Sequence, residues 1–412
     1  MFKLRVIVYP SFQDEIEKLE DFIETCILYG RVFEDFSVVH ITGFSQSLNT
    51  YPIGLFTKYE DLSKKPMIAA KELQYPYVHA FPKGEIANIQ VNLYRGEEQL
   101  GSTVEVKIEQ VDLNRLFVRI DQEETPLEIL KNKKVAIIGL GSGGSLLALY
   151  LAKSGVKEFI FIDDDVLETH NIIRHICSLE NLGRFKTKAV KDYIDSRIPD
   201  VKIQTVERKF ILHSKADFDF FLSLLKSVDL IASVSGEHDT NYAINDFIHS
   251  NHLALPVVYA GTFDGVKGGL MFKVDPQQED LCYHCVYSNP DDFGSIQSKA
   301  IPATTELEQK ISYDRTLQEQ LAQPGLGLDI DNLTILVSKF CLDVLLTGTD
   351  HGIYHFPHNF YMWFNRTILT ADQSSVKFEG LELYYYEDLE KAEICPFHGK
   401  QMSFDQNLNN EE

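Results

Sequence analysis

Apolar positions along this chain recur first at the period of strands and then in strand and helix alternation, and the change of pattern divides it. Phe2 to Val8 alternates like a strand. Gln13 to Leu28 places Ile16, Leu19, Phe22, Ile23, Cys26 and Ile27 on one helical face and predicts a helix, with Cys26 as a packed core thiol. Strand-like runs follow at Val38 to Ile41, Tyr77 to Phe81, Ile89 to Leu93, Thr103 to Ile108 and Leu116 to Ile120, rich in β-branched and aromatic residues, with turn signals such as Tyr94-Arg-Gly-Glu97 between them. This reads as a small α+β domain over residues 1–125, closed by the polar linker Asp121-Gln-Glu-Glu-Thr-Pro126. It carries no recognisable catalytic constellation and is read as a recognition domain.

From Lys134 the pattern changes. Val135-Ala-Ile-Ile138 is an unbroken apolar run, as in a strand buried on both faces, and Leu146, Leu147, Tyr150 and Leu151 then recur at helical spacing. Gly139-Leu-Gly141-Ser142-Gly143-Gly144 therefore sits at a strand-to-helix turn. There Gly139 permits the tight turn, Gly141 lets the backbone approach a phosphate, Gly144 allows close helix packing, and the helix start offers N–H groups. A second strand, Glu158 to Ile162, ends in Asp163-Asp164-Asp165, with Asp163 about 20 residues past the turn, where a ribose-binding carboxylate is expected. Further strands near Val201 to Val206, Leu230 to Val234, Val257 to Gly261 and Gly269 to Val274, and a helix from Asn241 to His249, predict a doubly wound, Rossmann-like, mostly parallel α/β sheet. Its ligand site belongs at the carboxyl ends of the strands.

On the glycine turn and the acid alone, the default function is a dehydrogenase. The residues that follow argue against it. Asn171, Arg174 and Lys186 come in register after the acids, and a dehydrogenase, whose pyrophosphate does not react, has less need of them. An enzyme that joins a carboxylate to AMP must stabilise charge rising at the reacting phosphorus, and Arg174 and Lys186 supply cations for it.

The glycine turn, the Asp163-x-Asp165 pair, Asn171-x-x-Arg174 and Gly183-x-x-Lys186 ahead of a helix resemble, in order and spacing, the ThiF-like family of ubiquitin-activating and sulfur-carrier-activating adenylating enzymes. The resemblance spans roughly Lys134 to His398. It implies adenylation of a partner's C-terminal carboxylate with ATP and magnesium. The glycine turn (Gly139, Gly141, Ser142, Gly143, Gly144), Asn171, Arg174 and Lys186 then hold the phosphates, Asp163 takes the ribose hydroxyls, and Asp165 helps with metal. The sequence departs from the family at Gly236, where relatives place a magnesium-binding Asp; Glu237 or Asp239 is expected to take over. The alternatives are a peptide-activating enzyme of natural-product maturation and a non-catalytic subunit that binds a modifier protein.

Cys282-x-x-Cys285 and Cys395-x-x-His398 have the composition and local spacing of a closed structural zinc site, where the family has Cys-x-x-Cys twice. His284, between two ligands, reads as a surface residue. Ser288 to Gln323 matches the family's crossover loop but lacks its catalytic cysteine, so a separate conjugating or sulfur-donating protein, or an internal amine of the substrate, must accept the acyl group. The apolar helix that follows, to Leu346, resembles the segment that reaches the dimer interface in relatives, which implies a homodimer. Cys341 within it reads as structural, and Cys177 is kept as a candidate nucleophile. The adenylation domain is thus expected over 126–400, with a flexible tail at 401–412.

Composition adds bounds. The 412 residues can hold two domains, and 44% hydrophobic content is that of a globular protein. A net charge of -22 argues against nucleic acid or an anionic membrane as partner. The opening run is too short for a secretion signal, no stretch has the length of a membrane span, and the 6 cysteines are few, so a reducing, cytoplasmic setting is expected.

Overall fold

A computed structural model of the chain describes residues 2–17, 25–33, 38–46, 50–57, 77–83, 85–95, 98–99, 104–120, 126–277, 281–288, 325–369, 375–386, 391–392 and 395–398. The chain divides into two compact units, Met1–Val118 and Arg119–Glu412. The crossover loop and the flexible tail expected from the sequence lie outside the described residues, apart from Ser288.

The first unit contains β1 (Phe2–Val8), α1 (Pro10–Glu17), β2 (Thr25–Phe33), β3 (Val38–Gly43), β4 (Tyr51–Thr57), β5 (Tyr77–Lys83), β6 (Glu85–Arg95), β7 (Glu98–Gln99) and β8 (Val104–Gln110). They form an 8-stranded mixed sheet in the order β7-β6-β5-β4-β2-β3-β1-β8. Helix α1 buries Phe12 and Ile16 in a cluster with Val6, Val39, Ile41 and Phe56. Two sequence expectations are corrected. The helix ends at Glu17, and Thr25–Phe33 is a strand paired antiparallel with both β3 and β4, so Cys26 lies on a strand and not on a helical face. Ladder pairing on both sides of a β-branched and aromatic run outweighs a chance helical spacing. Leu116 to Ile120 is not a strand but bends and turns after a short 3₁₀ segment, with Leu116 and Val118 exposed. Strand β4 escapes the sequence reading because Pro52 and Gly54 interrupt it.

The second unit runs α2 (Leu127–Leu130), β9 (Lys134–Ile138), α3 (Ser142–Lys153), β10 (Glu158–Ile162), α4 (Lys186–Arg197), β11 (Lys202–Val206), α5 (Lys215–Leu225), β12 (Leu230–Ser233), α6 (His238–Ser250), β13 (Val257–Thr262) and β14 (Gly268–Val274). It continues through α7 (Tyr283–Ser288), α8 (Gly327–Leu345), β15 (Phe360–Phe364), β16 (Ile368–Leu369), β17 (Val376–Phe378) and β18 (Glu382–Tyr386). The sheet order is β11-β10-β9-β12-β13-β14-β15-β18. Pairing is parallel from β11 to β13 and antiparallel from there to β18, so the sheet is mixed and not mostly parallel throughout. The reason is local: β13 and β14 are joined by a tight turn through Asp264–Val266, far too short for a parallel crossover.

Strand order reverses between β9 and β12, the place where a doubly wound sheet opens a crevice. One sheet face buries Ala136, Ile160 and Ile231 against Phe221, Leu225, Ile244 and Phe247 from α5 and α6. Helix α8 packs against α3 and against β12 to β14. No helix among the described residues is long and apolar enough to cross a membrane.

The turn after β9 depends on two glycines. Gly139 has φ +91, and a Cβ on Gly144 would stand 1.9 Å from the Gly139 carbonyl oxygen. Around Gly141 a Cβ would meet nothing within 4 Å. Gly144→Ala is therefore expected to destabilise the protein by about 3 kcal/mol or more, because the obstacle is backbone that cannot yield. Gly141→Ala should cost about 1 kcal/mol or less, as a change at a helix N-cap. Urea unfolding of both variants checks this, and equal losses would contradict the assignment of roles.

Candidate active site

The glycine turn is held by its Leu140 peptide group. The Leu140 N–H donates to Asp163 Oδ2 at 2.5 Å, and the Asp165 N–H donates to Asp163 Oδ1 at 2.9 Å. On the other side, His175 Nε2 donates to the Leu140 carbonyl at 2.9 Å while its Nδ1 accepts from the Cys177 N–H at 3.1 Å, which fixes the tautomer. Burial pushes the Asp163 carboxyl up, and Lys186 together with the two backbone N–H groups pulls it back. Burial likewise lowers His175, in keeping with a neutral ring.

Two clefts open at this turn. The first is lined by Gly139, Gly141, Asp163, Asp164, Asp165, Lys186, Arg208, Lys209, Phe210, Ser235, Glu237 and Thr240, together with Ile138, Ile162 and Val234. The second is lined by Gly141, Ser142, Gly143, Arg174, Val234, Ser235, Gly236, Gly261, Thr262 and the α8 residues Ile330, Leu333, Thr334 and Val337, with Leu147 and Ala260. They share Gly141, Val234 and Ser235. The first-turn N–H groups of α3 have no acceptor within the helix and lie beside this junction.

The structure thus brings together most of the residues expected from sequence but divides the cations. Lys186, only 8% exposed, stands in the first cleft with Nζ 2.6 Å from Asp165 Oδ2, while Arg174 lines the second. Three expected residues line neither cleft. Gly144 serves packing, as above. Asn171 Oδ1 accepts the Glu168 N–H at 2.9 Å and caps the 3₁₀ segment Thr169–Arg174, so its part is to set that segment. Asp239 is exposed in the first turn of α6. Glu237 does line the first cleft, and its Oε2 is engaged by Lys209 at 2.6 Å and by the Thr240 hydroxyl at 3.0 Å.

Sequence reading missed Lys209 and Arg208, which come directly after β11. The rule that ligands sit at strand carboxyl ends pointed there, but no motif marks them. It also gave His175 no role. Cys177 is buried, and burial pushes its thiol up to about 12, which disfavours it as a nucleophile. Cys341 is buried in α8 with its thiol also raised.

The second cluster packs against α6, where His249 meets Phe397 and His398. Cys282 Sγ lies 3.7 Å from Cys285 Sγ and 3.4 Å from Cys395 Sγ, and His398 Nδ1 lies 3.3 Å from Cys285 Sγ and 3.8 Å from Cys395 Sγ. A tetrahedral zinc with bonds of about 2.0–2.3 Å separates its ligand atoms by roughly 3.5–3.8 Å, so the donor set fits that ion. His284 is not the idle surface residue expected between two ligands, since its Nε2 is 2.7 Å from Asp246 Oδ1 on α6.

The family model described as the ThiF family matches residues 112–360. The chain belongs to the ThiF family. Among curated relatives, the adenylyltransferase and sulfurtransferase UBA4 of Debaryomyces hansenii is 33% identical over 177 residues, covering 41% of this chain and 36% of that protein. The SAMP-activating enzyme E1 of Haloferax volcanii is 24% identical over 173 residues, covering 40% of this chain and 58% of its own length. Both matches span less than two thirds of the relative. Among solved structures, Escherichia coli MccB with AMPCPP and the MccA peptide is 16% identical with a TM-score of 0.49, over 70% of this chain and 75% of that one.

In this ThiF chain, Cys282→Ser is expected to lower a zinc content of about one per chain and to reduce Tm by several degrees, because structural zinc contributes directly to folding. Metal analysis and calorimetry of freshly purified protein check this; wild-type protein without zinc would remove the metal from the account.

Proposed function

We propose that this chain adenylates the C-terminal carboxylate of a ubiquitin-like or sulfur-carrier-like protein, using ATP. The observation that carries the reading is the junction at Gly141 and Ser235, where a charged cleft meets a second, more apolar cleft lined by α8. A dehydrogenase needs one continuous groove for two nucleotides. An adenylating enzyme needs a nucleotide and an extended tail to meet at a single phosphorus.

The first cleft takes the nucleoside. Asp163 accepts the ribose hydroxyls through lone pairs that its two backbone donors leave open, since a carboxylate offers about four such sites. The first-turn N–H groups of α3 and the ammonium of Lys186 face the phosphates. The tail enters along α8, and Arg174 stands where its carboxylate approaches. A carboxylate oxygen attacks the α-phosphorus, the bond to the bridging oxygen of the β-phosphate breaks, and pyrophosphate leaves with that electron pair. Lys186 and Arg174 stabilise the charge that spreads over the phosphoryl oxygens in that step.

Magnesium has fitting donors here, in the carboxylates of Asp163, Asp164 and Asp165, whose oxygens lie within 4.8 Å of one another, and in Glu237 across the same cleft. When bound, it neutralises phosphate charge. The Cys282, Cys285, Cys395 and His398 set is read as a closed structural zinc site. We further read the first unit as the recognition domain, a homodimer as the working form, and the cytoplasm as its setting. With Cys177 buried and no cysteine between Ser288 and Gln323, the acyl group passes to a separate protein.

The test is exchange of labelled pyrophosphate into ATP, which requires an acyl adenylate to form and reverse. Exchange is expected only with a Gly-tailed carrier protein present. Lys186→Ala and Arg174→Ala should each lower its rate by about a hundredfold, with smaller effects on ATP affinity. Exchange supported by a short precursor peptide instead would redirect the reading to peptide activation. ATP binding without any exchange would leave a non-catalytic modifier-binding subunit.

A further inference from the structure

Tyr283 lies between two zinc-clip cysteines, yet its side chain points away from the clip into the wall of the nucleotide cleft. It is 1% exposed. Its hydroxyl accepts from Asn241 Nδ2 at 3.1 Å and lies 2.8 Å from His238 Nδ1, both in the first turns of α6. Asn241 Oδ1 in turn accepts the hydroxyl of Ser233 at 2.6 Å, and Ser233 is the last residue of β12. The Tyr283 backbone N–H donates to Asn245 Oδ1 at 2.8 Å, one turn further along α6. Between Ser233 and His238 lies the loop that supplies Val234, Ser235 and Glu237 to the clefts.

We propose that Tyr283 is a positioning residue through which the Cys282–Cys285 segment sets the loop 234–237 against the glycine turn. The chain Ser233, Asn241, Tyr283, His238 ties both ends of that loop to one phenol hydroxyl. The bonds from Ser233 to Asn241 and from Asn241 to Tyr283 each have one direction, which favours a single arrangement of the start of α6. Asn241 carries the link to the strand, and the hydroxyl joins it to His238 at the start of the helix. Without it, the buried amide of Asn241 loses a partner that water cannot readily replace, and the exposed ring of His238 loses its tie to Asn241. The loop is then free to shift relative to Gly139, on which a Cβ would stand only 2.5 Å from Ser235 Cα.

The variant is Tyr283→Phe, which keeps the ring and its packing and removes only the oxygen. Hydrogen exchange followed by mass spectrometry is the primary readout. In the full-length protein, amides of 234–241 should exchange at least about fivefold faster, as expected when a local opening loses a hydrogen bond, while β14 and the zinc content stay unchanged. Exchange accelerated equally in β14 would mark a global loss of stability and overturn the proposal, as would unchanged exchange at 234–241. A second readout rests on the adenylation reading: KM for ATP in pyrophosphate exchange should rise about fivefold, with kcat falling less. If wild-type protein shows no exchange, that reading fails, and hydrogen exchange alone decides the role of Tyr283.

Discussion

The hydrogen bond between the Leu140 N–H and the Asp163 carboxylate is the constraint on which the clefts depend. It joins the ends of two neighbouring parallel strands, β9 and β10, at the point where the sheet order reverses. Parallel pairing alone fixes their register but not the path of the chain beyond the last residue. Asp163 supplies that, and its second oxygen orders the Asp165 turn as well. Burying a carboxylate is costly, and burial does raise its pKa, but two backbone donors and the Lys186 charge offset the cost. The same ammonium pairs with Asp165, so one buried lysine completes both acids.

Around that point, most of the fold is a means of delivering loops. The crevice needs only β9 to β13 and their helices, yet the sheet continues through three antiparallel strands. That extension buries Phe272, Phe360 and Met362 in the same core as Ile138 and Ile162. It also carries the chain outward to the second cysteine clip. A metal held by Cys282, Cys285, Cys395 and His398 would close a long loop and so favour the folded state chiefly by limiting the unfolded one.

The site was more legible in the sequence than the fold around it. Glycines and acids at a strand-to-helix turn have steric and electrostatic reasons to be there, so Gly139, Gly144 and Asp163 can be assigned before any coordinates. The α+β unit was harder, because β2 carries apolar residues at both strand and helix spacing and only its neighbours decide between them. The antiparallel turn at β14 depends on loop length, and a continuous apolar run does not reveal strand direction. Lys209 and Tyr283 were invisible for a different reason. A lysine after a strand or a tyrosine inside a Cys-x-x-Cys has no motif, and its meaning comes only from what folds against it, Glu237 in one case and Asn241 in the other.

The net charge of -22 does not conflict with a site for a triphosphate. Charges spread over an exposed surface are screened within about 8–10 Å at ordinary salt. Lys186 is buried, and its field in the cleft is screened far less than that of any surface acid. Beside it, the α3 N-terminus presents fixed N–H dipoles whose number and direction do not depend on pH or salt. Three of the four acids lining the cleft are moreover engaged, Asp163 by two backbone N–H groups, Asp165 by Lys186, and Glu237 by Lys209 and Thr240, and the fourth, Asp164, is exposed. In the proposed reaction an arriving phosphate therefore meets acids most of whose charge is already compensated, and the cleft attracts an anion within a molecule that, as a whole, repels one.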